Sequence, residues 1–158
     1  MSSSLFTQWS EHTAALEQVL TRFTRSLDIF DCDLTRLGLE QPERIALLRE
    51  RLLANPICTI RIVLKDAEPF RSRSPRLFAL FALFVQQMSV VCCTESVKAL
   101  SDTILIVDGQ HALIRFHVDH ARGKVLIDEP AACLPYLHRF EEIVAEGGEP
   151  VASSTLGL

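Results

Sequence analysis

Ser101-Asp102-Thr103-Ile104-Leu105-Ile106-Val107-Asp108-Gly109 is the stretch on which the fold reading turns. Ile104 to Val107 is an unbroken aliphatic run of strand length. Asp108-Gly109 closes it with a strong hairpin-type turn. Downstream, Ala112 to Val118 reads as a second strand, Arg122-Gly123 as a turn and Lys124 to Ile127 as a third strand. Pro130 opens a last helix carrying Leu134, Leu137, Ile143 and Val144, and Gly147-Gly148 ends it.

Upstream, helices and strands alternate. Ser10 is placed to cap a helix with Ala15, Leu16, Val19, Leu20 and Phe23 at helical spacing. Leu27 to Asp31 alternates as a strand does. Pro42 starts a second helix with Ile45, Leu48 and Leu52 on one side, and Asn55-Pro56 stops it. Ile57 to Leu64 is β-branched and apolar, which suits a central strand. Asp66 to Arg73 reads as a polar loop, and Ser74-Pro75 as the capped start of a third helix. That helix is apolar nearly all round, which predicts burial between layers. Val90 to Cys93 reads as a short strand and Glu95 to Leu100 as a linking turn or short helix. The order predicts one α/β domain, a mixed β-sheet flanked by helices on both faces, over residues 1–149. Residues 150–158 read as a Ser-rich flexible tail.

A chain of 158 residues is long enough to bury a core without disulfide staples. Its net charge of −4 argues against a general nucleic-acid binder. The five cysteines are odd in number and form no C-x-x-C, so neither a disulfide framework nor a zinc ribbon is expected. Reduced thiols, no secretory signal and no apolar run of spanning length point to a cytoplasmic protein without a membrane segment.

Three features resemble the phospholipase D superfamily: the strand Ile57 to Leu64 before an Asp-rich loop, the Ile104 to Gly109 strand and turn, and Phe140-Glu141-Glu142-Ile143 in the last helix. The resemblance runs from about Leu16 to Glu146 and is greatest to uncharacterised bacterial (proteobacterial) members that lack the first half of the superfamily motif. It implies a single domain of that fold. Superfamily enzymes carry His-x-Lys-x-x-x-x-Asp, whose His attacks phosphorus covalently while a second copy's His protonates the leaving oxygen. With Asp108 on the motif's Asp, Ser101 takes the His position and Thr103 the Lys position. A serine without a positioned base is a poor nucleophile, and threonine brings no charge to a phosphate. The resemblance therefore implies no catalytic residue: a degenerate, pseudoenzyme-like binding or protein-interaction module. Superfamily domains often pair across the motif face, so a homodimer or a docked protein is the expected partner, with Ile104, Ile106 and the Arg115/His117 face lining the contact. In some relatives such a domain follows an acetyltransferase, which is the partner the analogy suggests.

Other constellations carry chemistry of their own. On a regular strand Ile114, Phe116 and Val118 share one face, which is expected to meet the core, and Arg115, His117 and Asp119 the other. With His120 and Arg122, that row is the candidate anion- or nucleotide-binding site. It is also where a residual phosphodiesterase would find an imidazole. His117 and His120 leave a strand on opposite sides, so no metal site is expected from them and His111, and no cofactor is implied. Cys92-Cys93 has no base nearby in sequence. Arg71, Arg73 and Arg76 surround a helix start that could collect a phosphate. Asp31 and Asp33 are most simply turn-capping carboxylates.

Overall fold

The computed structural model describes residues 1–154. In chain order the elements are β1 (Ser2–Phe6), α1 (Trp9–Leu20), β2 (Ser26–Asp31), α2 (Pro42–Ala54), β3 (Thr59–Leu64), α3 (Glu68–Arg73), α4 (Pro75–Leu83) and β4 (Met88–Cys93). Then come α5 (Glu95–Lys98), β5 (Thr103–Val107), β6 (His111–Arg115), β7 (Gly123–Ile127), α6 (Pro130–Ala145) and β8 (Gly148–Pro150). One 3-10 turn, Thr35–Leu37, follows β2.

The eight strands form one sheet in the order β1-β7-β6-β5-β2-β3-β4-β8. β2, β3 and β4 run parallel, and every other pairing is antiparallel. The expected mixed α/β sheet is what forms. Helices α1, α2 and α4 bury Leu16, Leu48 and Leu80 against one face. Helix α6 buries Cys133, Phe140 and Ile143 against the other, joined by Val97 of α5. With both faces covered, β5 and β6 are buried at every position and show no inside–outside alternation.

Several expectations need correction. α1 starts at Trp9 after Gln8, so Ser10 lies inside the helix and caps nothing. Residues 68–73 are a helix instead of a loop, because Phe70 anchors that segment in the core against Phe78 and Phe81. α4 is not enclosed: Leu77, Leu80 and Phe81 face inward while Leu83 is 66% exposed. The unexpected β1 pairs with β7, and Gly123 leaves room on both sides of that strand: a Cβ there would sit 2.0 Å from the Ile114 carbonyl oxygen of β6 and 2.6 Å from the Phe6 ring of β1. Pro150 ends β8, and the Val151 amide donates to the Val90 carbonyl with its side chain buried, so residues 150–151 are docked. Residues 152–154 form no helix or strand, and 155–158 of the expected tail lie outside the described residues.

The Asp108-Gly109 turn forms as expected, with φ of +55° and +67° at its two central residues, as a type I′ turn requires. Its carboxylate does more than turn the chain. Oδ1 accepts the amides of Arg25 at 2.7 Å, Ser26 at 2.9 Å and Thr24 at 3.3 Å, and Oδ2 accepts the Thr24 hydroxyl at 2.6 Å. Asp108 thus clamps the start of β2 to the end of β5. Partial desolvation pushes its carboxyl up, but the hydrogen bonds from Thr24, Ser26 and Arg25 outweigh it and hold the group below the usual carboxylate range.

Asp108→Ala is expected to cost about 3 kcal/mol through lost charge-assisted hydrogen bonds, read as a lower midpoint in thermal or urea denaturation. A depressed folded pKa contributes stability above the unfolded value and loses it as pH falls through the folded one. The gap between wild type and variant should therefore be full at neutral pH and narrow in acid below the ordinary Asp range.

Candidate functional site

The parallel strands β2, β3 and β4 end at one pole of the sheet, where β5 begins and β6 ends. Ser101 and Thr103 lie at this pole, and Asp108 lies at the opposite end of β5. Ser101 is exposed and its carbonyl accepts the Val118 amide at 2.8 Å. Thr103 is buried and pairs in register with Arg115. The three motif positions therefore do not converge. Two sit near the pole, while Asp108 is a structural clamp a strand length away.

The polar centre of the pole is the pair Arg115–Asp31, each side chain 2% exposed, with Nη2 of Arg115 3.4 Å from Oδ1 of Asp31. Nη1 of Arg115 donates to the Val118 carbonyl, and its Nε has no partner among the described residues. Oδ2 of Asp31 accepts the Leu34 amide at 2.7 Å and the Asp33 amide at 3.3 Å, holding a turn in which Leu34 takes φ +71°. Burial raises the Asp31 carboxyl despite Leu34 and Arg115, and burial lowers Arg115 despite Asp31. Desolvation thus exceeds mutual attraction on both partners, as is common for an enclosed ion pair.

A ring of cations and aromatics covers this pair. The guanidinium carbon of Arg115 lies 5.2 Å from the Trp9 ring centre and that of Arg36 lies 4.2 Å from it. His12 packs edge-on against Trp9 and Phe6 at 5.4 and 5.6 Å. Its pKa falls to about 4 through desolvation first, then the charges of Arg115, Arg44 and Arg36. Its ring is therefore neutral at pH 7. Sequence reading missed His12; the available signal was a histidine one turn before Ala15 and Leu16 on the buried stripe of a helix. On the other face, Lys65 donates its ammonium to the Leu100 carbonyl just before Ser101 and lies 5.9 Å from the Phe30 ring.

The expected row Arg115, His117, Asp119 does not form. β6 ends at Arg115, whose side chain shares the core face with Leu113, while Phe116 is 47% exposed. The inside–outside assignment failed because both sheet faces are core. His117, Asp119, His120 and Arg122 instead sit on the loop 116–122. There the Asp119 amide donates to Nδ1 of His117 at 3.1 Å, and the His117 and His120 rings lie 5.1 Å apart. The Arg122 carbonyl accepts the Phe116 amide at 2.9 Å. No group of three His, Cys, Asp or Glu side chains among the described residues is arranged to hold a metal ion.

Two other clusters resolve into structural roles. The start of α4 is occupied by Glu40, whose carboxylate accepts the Arg76 amide at 2.7 Å and the Leu77 amide at 2.9 Å. The anion that a phosphate would supply is already part of the chain. Burial raises the thiols of Cys32 and Cys93, and pushes those of Cys58 and Cys133 to about 11, so none of these four is a thiolate at neutral pH.

The family described as a domain of unknown function (DUF7931) matches residues 8–149. No curated protein matches the chain. Among solved structures, TrmBL2, described as an archaeal chromatin protein with a novel mode of DNA binding, superimposes with a TM-score of 0.68 at 11% identity. The match covers 94% of this chain and 54% of that one, so this chain spans about half the length of TrmBL2. Nuc, a phospholipase D family member from Salmonella typhimurium, aligns with a TM-score of 0.59 at 13% identity, covering 94% of this chain and 98% of Nuc. NucT from Helicobacter pylori gives 0.56 at 11% identity, with 94% and 98% covered. The fold is phospholipase D-like.

Arg115→Met is expected to destabilise the fold by about 3–5 kcal/mol, the usual cost of leaving one member of a buried pair alone. Arg115 counteracts the rise in the Asp31 pKa, so its loss raises that pKa further. A raised folded carboxyl pKa favours the fold below that value and penalises it above. The deficit should therefore be largest at alkaline pH and shrink as pH falls through the raised pKa of the unpaired carboxyl, measured by urea denaturation across pH.

Proposed function

We propose that this chain, which belongs to the DUF7931 family and folds as a phospholipase D-like domain, is a pseudoenzyme-like binding or protein-interaction module that does not cleave phosphodiesters. One observation carries the reading. At the pole where the superfamily motif would act, the motif positions hold Ser101 and Thr103, and the neighbouring interior is taken by the Arg115–Asp31 pair beneath Trp9. A covalent route through phosphorus needs an exposed imidazole or an activated hydroxyl. Ser101 has no base bonded to its hydroxyl in the described structure. His12 is buried behind Phe6 and Trp9. Arg115 is committed to Asp31 and the Val118 carbonyl.

Partner expectations follow from this reading. A second copy or another protein, an acetyltransferase by family analogy, is the kind of molecule such a module would hold. The DNA binding described for TrmBL2 belongs to that protein; general nucleic-acid binding by this chain is disfavoured by a net charge of −4. No helix among the described residues is long and apolar enough to cross a membrane. The five cysteines are free thiols, which suits a reducing cytoplasmic setting.

The competing reading is a residual phosphodiesterase, or an anion- or nucleotide-binding regulator, built on the loop 116–122. It is favoured by the close His117–His120 pair beside Arg122. The two are separated by assaying the folded protein at high concentration on a chromogenic phosphodiester and a single-stranded oligonucleotide. No turnover above buffer is expected. Turnover that disappears in His117→Ala, His120→Ala or His12→Ala would overturn the proposal. A nucleotide-dependent rise in melting temperature that Arg122→Ala removes would establish the regulator instead.

A further inference from the structure

The outer face of α2 and α4 is an unusual surface for a protein of this size. α4 carries one charged residue, Arg76, in nine. Its inner side is spent on Leu77, Leu80 and Phe81, yet its outer side, Ala79, Ala82 and Leu83, is again apolar and exposed. α2 presents Ala46 and Leu53 outward, the latter 67% exposed. Between the helices lies an open groove of about 600 Å³. A helix apolar on both sides is normally covered on both.

The two helices run side by side in the same direction. Glu40, just before α2, caps the start of α4, and Gln87, just after α4, donates to the carbonyls of Leu52 and Asn55 at the end of α2. The alanines on both outer faces allow close backbone approach. The surface carries both signs: Arg49 and Glu50 of α2 and Arg76 of α4 line the groove, and Glu43 is exposed in the first turn of α2. A peptide of one charge sign would meet like charges there, whereas a second copy brings the matching set.

We propose that the α2/α4 face is the contact between two copies of this chain, related by a two-fold axis running along the helix pair. This operation seats α2 of each copy on α4 of the other, with closed symmetry. It brings Glu43 beside the partner's Arg76, since each lies in the first turn of its helix. Glu43 makes no ion pair within the described chain, and the Arg76 contact with Glu40 is long, at 3.9 Å. The contact rests on the interaction-module reading and gives that module its surface, away from the motif pole.

Sedimentation velocity or light scattering on the full chain, over a concentration series reaching the millimolar range, tests the contact. A concentration-dependent dimer is expected. Ala79→Glu should abolish it without loss of helical circular dichroism. Glu43→Arg and Arg76→Glu should each weaken the dimer about tenfold, as like charges at a rim do. The double variant, with the pair reversed, should recover most of the loss. A monomer throughout, a dimer indifferent to Ala79→Glu, or a double variant as weak as the two singles combined would each overturn the contact. Phosphodiester turnover would remove the module reading while leaving the dimer standing; a monomer without turnover removes only the contact.

Discussion

β2 lies between neighbours that run in opposite senses near the middle of the sheet: antiparallel β5 on one side, parallel β3 on the other. Its position is secured by polar contacts at its start, middle and end. Asp108 gathers the amides of Thr24, Arg25 and Ser26 at its start. Midway, Asp28 receives Nε of Arg61 at 2.8 Å, and the same guanidinium reaches Glu141 on α6 at 2.5 Å, tying that helix to the sheet. At its end, Asp31 meets Arg115 of β6 across the intervening β5. Apolar burial supplies most of the cohesion of such a sheet but is indifferent to register. Directional contacts at the seam fix which residues lie at the pole.

Those contacts also set the energetics of the pole. Enclosure raises the carboxyls of both Asp28 and Asp31, with arginine working against the rise in each. A paired, dehydrated guanidinium such as Arg115 would have to surrender Asp31 before it could hold a phosphate. The cost of that exchange is the physical basis for reading the pole as filled structure. Buried pairs are weak sources of stability, and their best-attested use is to specify one arrangement over another. Here the arrangement specified is the turn 31–34 and the ends of β2 and β6.

Local signals were legible where the physics is local. The aliphatic run to Val107, the Asp-Gly turn with its positive φ angles, and the proline at the first turn of α2 all formed as read. The site was less legible because face assignment fails once both faces are covered. Arg115 then reads as an outward cation although it is among the most buried side chains. Glu40 capping a helix that begins 35 positions later, and Asp108 capping a segment more than 80 positions earlier, are products of tertiary structure. His12 carried no local mark beyond its place on a buried stripe. The Ser-rich β1 has poor strand composition and is recruited by the open edge of β7.

That recruitment has a consequence for synthesis. Phe6 pairs with Gly123, and Ser2 with Ile127. On the ribosome, β1 emerges with no ladder to join until about 120 further residues have been made, on the order of 6 to 24 seconds at usual elongation rates. During that interval its backbone amides and carbonyls are satisfied by water. The three serines keep the waiting segment soluble where a more aliphatic strand would invite premature association.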